Sequence, residues 1–424
     1  MTLATQSVSP ARAVPAKHGP RPVLVIYGVA VLMRMLAMWL SITSHPHTWL
    51  FSHPWEMGLL ATSLLHHQGY SSPFGVPTGP TAFIAPGYPT LIAGIFAVFG
   101  IDSFASAMVI MSMQIALGLF TIWLIMHVTR TVFDQRSATL AGAFWAVSPP
   151  LLFIPEIFWE TSFSAASIIG AVALALRIKD NPTLRAWIGF GACCAVMTLI
   201  NPALLFSLLA IFCWLAWQTR GYSWKAPVLG LLTLIIVFSP WPIRNAYRFH
   251  AFVPLRSTVG FELWMGNRPG ANGRLNESIF PMFNKRELAS YMEKGEVAYV
   301  HEKSSAAWTY IESHPGWFAD MTSRRVFRFW VGTGNADTSL TFVVHALLTT
   351  CFGFLGLIFA WRRGQHQFVT LVALPLLLFP VPYYITHAEF RYRLNIDPLL
   401  TVVAAFAVTH LVAMLRTSNR NTTH

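Results

Sequence analysis

The run 104-FASAMVIMSMQIALGLFTIWLIMHV-128 contains no Asp, Glu, Lys or Arg, and its apolar residues are continuous, not alternating. About 20 apolar residues suffice for a helix to cross the hydrocarbon layer of a bilayer, so this stretch predicts a membrane span. Comparable runs lie at 22 to 43, 138 to 154, 158 to 177, 185 to 200, 203 to 218, 226 to 241, 340 to 361, 367 to 385 and 397 to 415. Together they predict an all-α polytopic membrane protein of about ten transmembrane helices. A membrane barrel is disfavoured because its strands would alternate in hydropathy. The composition agrees, with 54% hydrophobic and 11% charged residues over a chain of 424. A soluble domain carries roughly 25% charged residues, so an ordinary soluble enzyme is excluded too.

Lys and Arg outnumber Asp and Glu by 29 to 17, a net charge of +12. In a soluble protein that excess would suggest nucleic acid; in a membrane protein it reports orientation, because short cytoplasmic loops collect basic residues. Arg130 and Arg136, then Arg177, Lys179 and Arg185, then Arg220 and Lys225, then Arg362 and Arg363, and finally Arg416 and Arg420 fall on one side. That side is shared with Arg12, Lys17 and Arg21 of a Pro-, Ala- and Ser-rich leader, 1 to 21, which reads as disordered and cytoplasmic and not as a cleavable signal. No nucleic-acid partner is expected; the bilayer itself is. The alternation requires that the apolar stretch 86 to 100 does not cross. At fifteen residues it reaches about 22 Å, short of a ~30 Å core, and is expected to be a half-length interfacial or re-entrant helix.

The resulting organisation is an N-terminal transmembrane module, 22 to 241, with a first outer loop at 44 to 103; an outer-face domain at 242 to 339; C-terminal transmembrane helices at 340 to 415; and a cytoplasmic tail, 416 to 424. Within the outer segments, 55 to 68, 285 to 300 and 304 to 313 read as helices, the last ended by His314, Pro315 and Gly316.

Chemistry-bearing residues gather at the outer ends of the spans. Glu56 opens the helix at 55 to 68, where a carboxylate is favoured by the helix dipole, and Thr81 to Pro89 adds a Pro- and aromatic-rich turn that includes Tyr88. Glu156 and Glu160 lie where the third span ends and the fourth begins, and Glu160 can face the same outer cavity as Glu56. Arg34 lies well inside the first span and requires a carboxylate, carbonyls or a phosphate. Arg244 follows the seventh span, and Arg391 and Arg393 occupy the last outer turn; guanidinium forks there suit a phosphate, and they suit lipid head groups as well. The chain lacks GxxxxGK[ST], HExxH, GxSxG and Asp-x-Asp patterns. His45, His47, His53, His66 and His67 match no metal-ligand spacing, and Cys193, Cys194, Cys213 and Cys351 all lie in apolar stretches without a CxxC pair.

The order of Glu56, Gly69-Tyr70, Pro86-Gly87-Tyr88-Pro89, Pro240 to Asn245, Gly260 to Asn267, His314-Pro315, Arg391-Tyr392-Arg393 and Asp397-Pro398 resembles the membrane-embedded glycosyltransferases of the C-type (GT-C) fold, the broad family of protein mannosyltransferases and bacterial aminoarabinose transferases. The resemblance runs from about residue 22 to 415. It implies two juxtamembrane helices in the first outer loop. It also implies an enzyme of the inner membrane, working on the periplasmic side, that moves a hexose or pentose from a polyprenyl-phosphate carrier to a hydroxyl or amine of a glycan, lipid or protein, usually with inversion. The family's first acid falls on Glu56 and its second on Glu160. Relatives often carry an acidic pair where this chain has Trp55-Glu56, and some a Lys where it has Ala85. Arg391 and Arg393, with Arg244 or Arg34, are then left to hold the carrier phosphate beside Tyr88. No cofactor is expected, the lipid-linked sugar being substrate, and participation of a divalent metal stays open. A transporter or flippase of lipid-linked sugars is the rival reading. It would need polar or broken-helix features on the inner half as well, and the acids here lie at the outer ends.

Overall fold

Long apolar runs leave the backbone no partner but itself, and in this chain they wind into helices that cross and recross one another. The computed structural model describes residues 21–44, 55–156, 159–332 and 340–421. The leader up to residue 20, the histidines at 45, 47 and 53, and the side chain of Glu156 lie outside that description. The first half comprises α1 (Arg21–Ser44), α2 (Glu56–Leu65), α3 (Gly87–Phe99), α4 (Phe104–Val132), α5 (Gln135–Val147), α6 (Pro149–Phe153), α7 (Thr161–Asp180), α8 (Leu184–Ile200), α9 (Leu205–Gln218) and α10 (Lys225–Phe238). The outer segment holds α11 (Pro240–Phe249), α12 (Val259–Asn267), α13 (Lys285–Lys294), α14 (Glu296–Ser313) and α15 (Pro315–Val331). The chain closes with α16 (Leu340–Arg362), α17 (His366–Leu378), α18 (Val381–Ile385), α19 (Phe390–Arg393) and α20 (Asp397–Asn421). Among the described residues there is no strand beyond a single bridge between Ser71 and Pro80.

Each expected apolar run is mostly helical over its described residues. Among the described residues six stretches are long and apolar enough to cross a bilayer, and a seventh if α10 and α11, bent by 41°, count as one. Proline sets the breaks. Pro149 separates α5 from α6 inside the expected 138 to 154 span, and Pro240 bends the chain between α10 and α11. Large side chains such as Leu32 and Ile236 are 67% and 68% exposed, as expected of surfaces that face lipid tails. Helices approach closely through small residues: a Cβ on Gly191 of α8 would stand 1.9 Å from the Gly230 carbonyl of α10.

The α3 helix is 13 residues long, about 20 Å, and packs on α2, α4 and α8. The expected helix at 55 to 68 ends earlier, at Leu65. In the outer segment the break falls at Gly295, whose φ of +76° suits a residue without Cβ, so α14 runs unbroken across the expected gap after residue 300. Pro315 does not end the helical region; it opens α15, its missing N–H costing nothing at a first helical position.

The outer segment shares its core with the first outer loop. Tyr70, Phe74 and Phe83 pack with Trp241, Phe261, Tyr291 and Tyr299. Glu296, 5% exposed, pins the two together by accepting from the Thr81 hydroxyl, the Ala82 N–H at 2.7 Å and the Tyr291 hydroxyl at 2.6 Å.

With α3 stopping short of a crossing, a reporter fused after Arg130 is expected in the cytoplasm. A fluorescent protein there should mature and alkaline phosphatase should stay inactive; the reverse pattern would mean that the 87–99 segment spans the bilayer.

Candidate active site

Trp55 is extended and Glu56 begins α2, so the carboxylate sits half-buried at a helix N-terminus. Burial pushes its pKa above the ordinary carboxylate range, the positive charges of Arg256 and Arg391 pull it down, and the nearby Glu262 pushes it up again. The net direction is upward. Arg256, in the loop between α11 and α12, is held against the first outer loop by donating from Nε to the Phe83 carbonyl at 3.1 Å, and its Nη2 stands 3.8 Å from Glu262 Oε1. Arg391 lies on α19 with its guanidinium 3.7 Å above the Trp159 ring, and Trp159 meets Trp55 edge to face at 5.6 Å. The two tryptophans thus tie the last outer turn to the start of α2. Burial opposes the Arg391 charge, but Tyr392, Glu160 and Glu389 outweigh it and hold the guanidinium protonated.

Glu160 caps α7, where its carbonyl accepts from the Ser164 N–H and hydroxyl. Its carboxylate is within electrostatic reach of Arg391 and of Tyr88. Tyr88 is fully buried against Phe163, and its hydroxyl makes no hydrogen bond among the described residues.

Glu262, in the first turn of α12, faces His387 with 3.3 Å between Oε2 and Nδ1. His387 Nε2 in turn lies 2.8 Å from the Tyr392 hydroxyl, which accepts from Arg391 Nη2 at 3.4 Å. Burial, with Arg391, Arg325 and Arg256 nearby, drives the His387 pKa down to about 3, so the ring is neutral at physiological pH. Burial likewise pushes Tyr392 up to about 12 and raises Glu262. Arg391 donates to the Tyr392 oxygen, which leaves the Tyr392 proton to His387 Nε2, while His387 Nδ1 and Glu262 Oε2 lie close without a hydrogen bond among the described residues. Arg325 fixes this register. Fully buried, it donates to the carbonyls of Gly266, Tyr384 and Ile385 and to Asn267 Oδ1, tying the end of α12 to the turn before His387.

The structure therefore brings Glu56 and Glu160 within electrostatic reach of Arg391, with Tyr88 buried beside Glu160. The three other expected arginines are engaged elsewhere. Arg393 is fully buried and donates to Asp397 Oδ1 at 2.9 Å, to the Trp330 carbonyl at 2.7 Å, and to the hydroxyls of Thr350 and Thr349. Asp397 also meets His345 Nε2 at 2.9 Å, and His345 Nδ1 meets Ser148 at 2.6 Å. Arg244 donates to the carbonyls of Thr81 at 2.7 Å and Tyr70 at 2.8 Å, holding the first outer loop. Arg34 lies deeper, between α1 and α5, donating from Nη1 to the carbonyls of Ala30 and Ala146. Their expected place beside the carrier phosphate gives way to these bonds, because a buried guanidinium must find oxygen wherever the fold supplies it. Arg256, Glu262, His387, Tyr392 and Trp159 join the recess without having been singled out as functional side chains. Glu262, His387 and Tyr392 stand inside segments that the sequence marks, whereas Arg256 has no motif around it. Among the described residues no three His, Cys, Asp or Glu side chains gather as a metal would require.

Residues 83–243 match the family model of the dolichyl-phosphate-mannose-protein mannosyltransferases. Among solved structures, the apo oligosaccharyltransferase of Archaeoglobus fulgidus aligns over 93% of this chain and 52% of its own, with a TM-score of 0.56 and 15% identity. The same enzyme with zinc and sulfate gives 0.57 and 14%, over 93% and 50%. ArnT of Cupriavidus metallidurans bound to undecaprenyl phosphate covers 91% of this chain and 78% of its own, at 0.43 and 13%. No curated protein sequence matches the chain. The fold is the one seen in the Archaeoglobus fulgidus oligosaccharyltransferase, and the chain spans about half that enzyme's length.

Two neighbouring arginines should separate in a thermal melt of the detergent-solubilised protein. Arg393→Gln leaves the buried Asp397 with His345 but no arginine and should cost about 3–5 kcal/mol, whereas Arg391→Gln, half-buried, should shift stability by about 1 kcal/mol or less. Equal losses would place Arg391 in the scaffold.

Proposed function

We propose that this chain transfers a sugar from a polyprenyl-phosphate carrier to an acceptor hydroxyl or amine at the outer face of the membrane, with inversion, using Glu56 as general base. One observation carries the reading: at the start of α2 stands a carboxylate with a raised pKa, within electrostatic reach of two arginines, Arg256 and Arg391. As the acceptor oxygen or nitrogen attacks the anomeric carbon, its proton passes to Glu56 and the bond from that carbon to the phosphate oxygen breaks. The electron pair leaves with the polyprenyl phosphate. A base with its pKa nearer the working pH accepts the proton more effectively, and burial moves Glu56 in that direction. The leaving phosphate gains negative charge, which preorganised cations stabilise without a general acid; Arg391, braced on Trp159, and Arg256, held on the Phe83 carbonyl, fill this role.

Glu160 helps to keep Arg391 charged. Glu262 and neutral His387 orient Tyr392 and through it Arg391. The match of residues 83–243 to mannosyltransferases that use a dolichyl-phosphate sugar supports the carrier chemistry. The apolar flank of the helices gives such a carrier its solvent, and the inner membrane with a periplasmic recess is the location this reading assigns.

In reconstituted membranes supplied with polyprenyl-phosphate hexoses and pentoses, product analysis by mass spectrometry should show transfer that Glu56→Gln lowers by roughly 10²- to 10⁴-fold. Because only the ionised carboxylate is a base, the rate should climb with pH through a midpoint above the ordinary carboxylate value. Removing a cation with Arg256→Gln should move that midpoint higher still. Transfer at the unaltered rate in Glu56→Gln would remove this carboxylate as the base.

A further inference from the structure

The second half of α15 carries Arg324, Arg325 and Arg328, and the loop after α12 lays Arg274 against it. Arg325 is fully buried among carbonyls, whereas the other three reach the surface of the outer segment. Gly273 sets how closely loop and helix approach. Its φ is +72°, and a Cβ there would stand 2.7 Å from Met321 Sδ, 3.1 Å from Arg325 Nε and 3.3 Å from Arg328 Nη1, so the position demands a residue without a side chain. Arg328 Nη1 donates to the Asn272 carbonyl at 2.6 Å, which fixes the loop on the helix.

These guanidinium groups are short of counter-charge. Among the described residues neither Arg274 nor Arg328 has a carboxylate within ion-pair distance, and Arg274 Nε has no hydrogen-bond partner. Arg324 pairs with Asp320 at 2.8 Å, but both side chains are more than half exposed, where solvent screens such a pair. Arg324 and Arg328 stand one helical turn apart, a spacing at which like charges repel. Burial lowers the Arg328 pKa, Arg274 and Arg324 lower it further, and Glu389 opposes them. An anion arriving from outside would relieve that repulsion. The cluster also abuts the turn that carries His387 and Arg391. The Gly273 carbonyl accepts from the Ala388 N–H at 3.2 Å, and the Leu275 N–H donates to Glu389 Oε1 at 3.1 Å. Beside the arginines on α15, Phe327 is 63% exposed. Its electron-rich face suits the C–H side of a sugar ring, as the guanidinium forks suit oxyanions.

We propose that Arg274, Arg324 and Arg328 form a docking surface for an acidic glycan, a saccharide chain bearing carboxylates or phosphates, and that this glycan is the acceptor. Its identification as acceptor rests on the transfer reading above; its binding does not.

Fluorescence anisotropy of labelled dextrans of one length, titrated with the full chain in neutral-lipid nanodiscs, tests the surface. Carboxymethyl-dextran and dextran phosphate share a backbone with neutral dextran, so charge alone separates them. At least one charged form should bind, less tightly as salt rises from about 0.05 to 0.5 M, and the tighter one identifies the oxyanion. The triple variant Arg274→Gln, Arg324→Gln, Arg328→Gln should weaken binding by about 10- to 100-fold. Arg324→Glu, at an exposed position, should weaken it too and serves if the triple variant fails to fold. Removing three exposed cations elsewhere on the outer segment, with Arg248→Gln, Lys285→Gln and Arg286→Gln, should leave it unchanged. Equal binding of neutral dextran, an equal loss in that control, equally tight binding of polyglutamate, or abolition of binding when phosphatidylglycerol enters the nanodisc would overturn the glycan surface; the last two results would assign it to an acidic peptide or to the bilayer. Charged dextran should also inhibit transfer in reconstituted membranes, and binding without inhibition would overturn the acceptor assignment. Glu56→Gln should bind charged dextran as the unaltered protein does, so the base and the docking surface fail separately.

Discussion

A guanidinium taken out of water has to be met by oxygen atoms or aromatic faces, and that demand organises the outer half of this molecule. Arg325 and Arg393 are fully buried and meet it with carbonyls, hydroxyls and one carboxylate. Arg244 meets it with two carbonyls of the first outer loop. Each of these thereby fixes one chain segment against another. Arg391 is different. It rests on the face of Trp159 and makes one long bond to Tyr392, so most of its donors stay available to whatever enters the recess. Arg256 is intermediate, with Nε committed to Phe83 and a loose 3.8 Å pairing to Glu262. The division between scaffold and site is thus a division in how completely each cation is already satisfied.

The transmembrane architecture was legible in the chain because length and hydropathy decide it almost alone. The half-length α3 followed from the distribution of Arg and Lys, since only a non-crossing segment leaves Arg130 and Arg136 with the other basic loops. Glu56, Glu160, Tyr88 and Arg391 could be gathered from their positions at the outer ends of spans. Arg393 could not be told from Arg391 by sequence, for the two are separated by one residue. One turn of helix aims Arg393 inward at Asp397 and Arg391 outward at Trp159, and only the packing of α19 against α15 and α16 makes that choice. Arg256 was invisible for a related reason. It sits in an irregular loop, and its place is set by a carbonyl more than 170 residues away in sequence.

The two outer segments do not behave as separate bodies. Aromatic side chains of both fill one core, and Glu296 stitches them through donors from the first loop and from α13. Withdrawing that carboxylate would strand buried donors at about 1–3 kcal/mol each. A roof riveted in this way does not swing. On the proposed reading, whatever reaches Glu56 does so beneath a cover held shut by one buried carboxylate. Loosening that seam would cost the outer half its shared core before it changed what the protein admits.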